Sequence, residues 1–171
     1  FKWVLKDAGM WSYNFYDVNL KINHRFNQSN RIYLSLYTGN DAYHYSFSED
    51  TENEFEQIHY EEEDGFKLGN ITTTLRWNQQ YGPRMFANTT LIYSRYLFKT
   101  ETYREEIITL PDDTNTSRFR MGFNSGIEDY GACYDLDFIQ SQQHKLRFGA
   151  TAVRHIFRPG VNIYDFRDFE G

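Results

Sequence analysis

A single cysteine, Cys133, is all that 171 residues hold of that type. It excludes an intrachain disulfide framework and every zinc pattern built on several cysteines, and it leaves the redox compartment open. No run of about 18 apolar residues exists, so no helix can span a membrane; a barrel of alternating strands stays open. Basic clusters are missing as well. Eighteen Lys and Arg stand against 24 Asp and Glu, the net charge is -6, and nothing tracks a phosphate backbone, so nucleic acid is not an expected partner. The first twenty residues lack the basic, apolar and small-residue regions of an export signal, and the chain opens on Phe1 rather than Met. His24, His44, His59, His144 and His155 are scattered without metal-ligand spacing, and neither a nucleophile elbow nor a phosphate loop is present. The expectation is a chain that is no enzyme and carries no cofactor and no metal.

What is present is aromatic and alternating. Phe, Tyr and Trp make up 19% of the chain, and the whole hydrophobic class only 40%. Between Tyr16 and Phe26, Val18, Leu20 and Ile22 share one parity, while Asp17, Asn19, Lys21, Asn23 and Arg25 share the other. That is the period of a strand with one oily and one wet face. The same grammar recurs in Ile32, Leu34 and Leu36, in Ile71 to Trp77 against Arg76, and in Tyr130 to Phe138 against Asp129, Asp135 and Asp137. Gly39 is expected to mark a bulge, because Tyr43, Tyr45 and Phe47 beyond it sit on the opposite parity. Six strands are expected, at about 13–26, 31–45, 68–80, 85–99, 123–140 and 145–157, forming three hairpins closed by short turns at 27–30, 79–84 and 141–144.

Between the hairpins lie two longer segments, about 48–66 and 100–120, expected as loops. Short turns at one end and long loops at the other is barrel wiring. A one-sided soluble sheet also alternates, but its strands would run to roughly 5 or 6 residues. The first long segment carries Glu49, Asp50, Glu52, Glu54, Glu56, Glu61, Glu62, Glu63 and Asp64 without one Lys or Arg. A mobile, solvated loop is expected there; Glu61, Glu62, Glu63 and Asp64 are weak calcium candidates, since the Gly-punctuated calcium pattern is absent.

The strand texts YNFYDVNLKINHRF, RIYLSLYTGND, GNITTTLRWNQQYGPRMFANTTLIYSRYLF and HKLRFGATAVRHIFRPGVN resemble consecutive barrel strands of TonB-dependent outer-membrane receptors. The likeness is to the subgroup with a carboxypeptidase-regulatory-like domain before the plug, and it runs over residues 13 to 162. It implies an all-β, antiparallel transmembrane β-barrel segment in the outer membrane. At about 28 residues per strand, a barrel of about 22 strands would need roughly 600. No plug, TonB-contacting box or terminal aromatic-ended strand is recognisable, so an interior slice is expected. The resemblance implies import of a scarce ligand, siderophore, cobalamin, glycan or peptide, with TonB acting through a plug outside this sequence and a surface lipoprotein as a further partner. The alternatives are a passive porin or other outer-membrane barrel, and a soluble, aromatic-rich carbohydrate-binding sandwich. On the barrel reading Asp17, Asn19, Lys21, Asn23, Arg25, Arg76, Asp129, Asp135 and Asp137 face the lumen. Tyr43, Tyr45, Tyr60 and Tyr103, towards the external end, are the candidate ligand contacts.

Overall fold

The computed structural model describes residues 9–170; the readings that rest on Phe1 and Gly171 lie outside them. Six antiparallel strands form one sheet in sequence order, each hydrogen-bonded only to its neighbours in the chain. They are β1 (Met10–Asn27), β2 (Asn30–Glu52), β3 (Gln57–Gly82), β4 (Met85–Leu110), β5 (Asp113–Ile139) and β6 (Lys145–Glu170). The fold is all-β, with no helix among the described residues.

The three short turns fall where expected, and side chains fix them. Asn27 Oδ1 accepts from the Ser29 amide at 2.9 Å, and Ser141 Oγ accepts from the amides of Gln143 and His144 at 3.2 and 3.1 Å. At the other end the two expected loops are not loops. β2 runs on to Glu52 and β3 starts at Gln57, joined by a turn in which Asn53 Oδ1 accepts from the amides of Phe55 and Glu56. β4 and β5 are separated only by Pro111 and Asp112. Opposite charges fall directly across from one another, Glu62 against Arg104 and Glu105 against Arg118, and such pairs stabilise a ladder that composition alone reads as loop.

Gly39 is not a bulge either. The β2–β3 register runs through Gly39 and Asn70 unbroken, and shifts occur instead between Arg25 and Asn27, Gln80 and Gly82, and Asn124 and Gly126. Tyr43, Tyr45 and Phe47 therefore lie on the face opposite Leu34 and Leu36.

A sandwich needs a second layer, and the described residues supply one layer only. Among the described residues only Gly39, Ala87, Glu105 and Gly126 are buried, whereas Leu20, Ile22 and Phe148 stand 45, 52 and 57% exposed. The sheet has no core of its own.

Candidate functional site

Directly paired residues point to the same side of a sheet, so the register sorts every strand into two faces. The Leu20 face runs, level by level, through Ile22, Leu34, Leu75, Leu91, Ala132 and Ala152, then Leu20, Leu36, Thr73, Tyr93, Tyr130 and Arg154. The Asp17 face takes the alternate residues. Asp17, Asn19, Lys21, Asn23, Arg25, Arg76, Asp129, Asp135 and Asp137 all fall on it.

Near the short turns the Asp17 face is polar and bonded to itself. Tyr37 Oη donates to Asp17 at 2.7 Å, Arg31 to Asn23 at 2.6 Å and Arg147 Nε to Asp137 at 2.7 Å, while His155 Nδ1 lies 2.7 Å from Asp129. Cys133 sits on this face as a small filler, accepting from Thr151 Oγ1 at 3.4 Å.

Farther along the same strands the two faces exchange character. Beyond the level Tyr16, Asn40, Gly69, Leu97, Gly126, the Leu20 face turns to His44, Glu63, Glu101, Arg120 and Asp165. On the Asp17 face aromatic rings take over: Tyr43 stacks on Phe66 at 5.6 Å and 20°, Phe98 meets Phe123 at 5.9 Å, and Phe47 meets Tyr60 at 6.1 Å. These rings form a wall across four strands, with Tyr13 of β1 beside it, its phenol donating to Asp41 at 3.0 Å. Arg104, the cation of this upper wall, is held by Glu62 at 2.9 Å.

The candidate ligand residues divide accordingly. Tyr43, Tyr45 and Tyr60 belong to the aromatic wall, but Tyr103 does not. Its register partners are Glu63 and Arg120, which puts it on the Leu20 face, where its phenol donates to Glu105 at 2.9 Å and Arg120 covers its ring at 5.4 Å. Phe66, Phe98 and Phe123 escaped the sequence reading because Phe66 fell in the segment expected as a loop at 48–66, and Phe98 and Phe123 lay at strand ends flanking the expected loop at 100–120, which supplies no register between them. Their signal was the undisturbed alternation itself, counted outward from the turn: Tyr43 and Phe66 are equidistant from the centre of the 53–56 turn.

The calcium candidates do not converge. Glu61 and Glu63 lie on the Leu20 face and Glu62 and Asp64 on the other, because consecutive strand residues alternate. No metal-holding group of three His, Cys, Asp or Glu occurs among the described residues. Two of the four are engaged singly instead, Glu62 by Arg104 and Asp64 by the Thr102 hydroxyl, which donates to it at 2.7 Å. Arg118, hydrogen-bonded to Glu105, holds that carboxyl below the usual range, and the hydrogen bond to Asp50 raises the His59 imidazole above its ordinary value.

No protein-family model matches the chain, and no curated protein matches it in sequence. Among solved structures it is weakly similar to the ferric preacinetobactin receptor BauA from Acinetobacter baumannii, at 5% identity and a TM-score of 0.20, with 95% of this chain aligned to 43% of that one. It is also weakly similar to a KdgM porin in complex with disordered oligogalacturonate, at 16% identity and a TM-score of 0.15, covering 92% of this chain and 96% of the porin. The chain spans less than half the length of the receptor. Likeness at these scores assigns neither fold nor function, so the functional argument rests on the two faces of the sheet.

Proposed function

We propose that the chain is a wall segment of an outer-membrane β-barrel transporter, and within that class a receptor of the TonB-dependent kind that imports a scarce ligand. The observation that carries the membrane reading is the exchange of polarity along single strands. A transmembrane strand needs about 9–11 residues, and these strands run from 18 to 27. The unbroken apolar band on the Leu20 face lies nearest the short turns, from Ile32 to Leu36 in β2 and from Leu146 to Ala152 in β6; beyond it charged residues interrupt the face, leaving Ile156, Val161 and Ile163 of β6 as separate apolar positions. Lipid covers that band, and water covers the rest of the same face. A sheet packed on a soluble core would keep one apolar face along its whole length.

Receptor rather than passive pore is favoured by the aromatic wall, which the long hairpins carry beyond the band on the lumen side. A pore needs water there, whereas stacked rings present a surface for the apolar or planar face of a ligand. Ligand class, plug, TonB and any surface lipoprotein belong to the proposal through the sequence resemblance. No covalent step is part of it.

Arginine substitutions test the membrane reading. Leu20→Arg places a charge towards lipid, at a cost of about 2–4 kcal/mol near the midplane, and should block assembly of the heat-modifiable barrel. Asn19→Arg enters a face that already holds Lys21 and Arg25 and should assemble. Equal assembly of both variants would remove the chain from the membrane. Uptake of ferric siderophores, cobalamin, oligosaccharides and peptides, compared in cells with and without TonB, tests the receptor. Uptake that persists without TonB would leave a passive pore.

A further inference from the structure

Charges are sorted by face at the level where the apolar band ends. From the level of Arg154 to that of Lys67 and Lys99, the Leu20 face of β3 to β6 carries Lys67, Arg95, Lys99, Arg154 and Arg158 against one carboxylate, Glu128. At the same levels the Asp17 face holds Asp17, Asp41 and Asp129 and no Lys or Arg. Neutralisation within the sheet does not account for this row. Glu128 is engaged by Arg158 at 3.0 Å, and Lys99 leans along its own strand to Glu101. Among the described residues Lys67, Arg95 and Arg154 join no ion pair, and all three are exposed. Lys67 and Lys99 are direct cross-strand partners, an arrangement that costs stability unless an anion sits between them.

Directly on the turn side of these cations the same face is dented. The cross-strand neighbours Ala132 and Ala152 leave an apolar trough of about 570 Å³ whose lining includes Leu75, Leu91, Tyr93 and, at its rim, Arg154. Cations above an apolar trough match a molecule with an anionic head and a hydrocarbon tail.

We infer that this row is a docking site for the phosphate groups of membrane lipids, with an acyl chain lying in the trough below. The inference rests on the reading of the Leu20 face as lipid-facing. Long Lys and Arg side chains extend from the apolar edge to the headgroup level, and several N–H donors converge on phosphate oxygens there. The trough separates a lipid source from free phosphate, which has no tail to place in it.

The test uses the full-length protein extracted in a non-ionic detergent, titrated in native mass spectrometry with bis-phosphorylated lipid A, with the same lipid after enzymatic dephosphorylation, and with inorganic phosphate. The wild type should prefer the phosphorylated lipid at least about tenfold, and millimolar inorganic phosphate should not displace it. Replacement of Lys67, Arg95 and Lys99 by Gln should weaken binding about fivefold for each cation and about a hundredfold together, whereas Lys145→Gln, on the other face beside a short turn, should leave it unchanged. Equal binding of the two lipid forms by the wild type overturns the inference without reliance on any variant, and so does displacement by inorganic phosphate. Unchanged binding by a folded triple variant overturns it too. In these three outcomes a protein that still needs detergent keeps the barrel reading. A full-length protein that stays soluble without detergent ends both.

Discussion

Tyr37, Asp17 and Gly39 show how single residues fit the polar face together. Asp17 and Gly39 are direct partners across β1 and β2, and Tyr37, two residues before Gly39, lays its ring over that glycine to reach Asp17. A Cβ on Gly39 would stand 2.6 Å from Asp17 Oδ1 and 2.9 Å from Tyr37 Oη. Both atoms end flexible side chains, so an alanine there would part them rather than move the backbone. Ordinarily Ala improves on Gly inside a strand by about 0.5–1 kcal/mol. Gly39→Ala should therefore lower the urea midpoint of the wild type, because it breaks the Tyr37 contact. In an Asp17→Ser background, where that contact is already gone, the same change should raise stability by about 0.5–1 kcal/mol. The same sign in both backgrounds would show that the glycine serves backbone freedom and not the close approach.

At the scale of the element, the hairpin of β2 and β3 carries nine acids from Glu49 to Asp64 and still forms a continuous ladder. Alternation splits the acids between two faces, Arg104 takes Glu62, and His59 meets Asp50 at 2.6 Å near the tip. Because Asp50 raises the His59 value in the folded hairpin, its contribution is fully present below the ordinary imidazole pKa and is lost as pH rises through the raised one. Amide exchange at Asp50 and Ile58, corrected for intrinsic rates, should speed up relative to Thr72 as pH increases through that window. Asp50→Asn should remove the dependence; its persistence would assign it to another group. The sequence disclosed β1 near its short turn, since Val18, Leu20 and Ile22 against Asp17, Asn19 and Lys21 leave no other period, whereas over 85–99 Leu91 and Tyr93 favour one parity and Ile92, Tyr96 and Phe98 the other. Beyond Gly39 it misled, for a physical reason: charge on both faces resembles a loop until the cross-strand partner is known. Glu105 against Arg118 becomes visible as a pair only when positions are counted outward from Pro111 and Asp112. Tyr103 was misplaced for the same reason, since its face depends on a register that an assumed loop does not supply.

For the whole molecule, a single layer with long outer strands at both edges, β1 and β6, is stable in isolation neither in water nor in lipid. Further strands beside β1 and β6 would close the ladder, and a membrane would cover the Leu20 band. The level at which water replaces lipid can then be read along one strand. In β2, Ile32, Leu34 and Leu36 share a face with His44, Ser46 and Ser48. Spin labels at the first three positions should be more accessible to oxygen, which concentrates in lipid, and labels at the last three to a water-soluble nickel chelate, with the change falling near Asn40. Labels at Tyr33 and Ser35, on the Asp17 face, should not show lipid-like oxygen accessibility. A β2 whose even-numbered positions favour oxygen from Ile32 through Ser48 would extend the membrane over the charged level of Glu61 and Glu63. A strand with no oxygen-accessible position would take the sheet out of the bilayer, because a face bearing Leu34, Leu36, Leu75 and Leu91 in one uncovered layer would then need a protein cover in place of lipid.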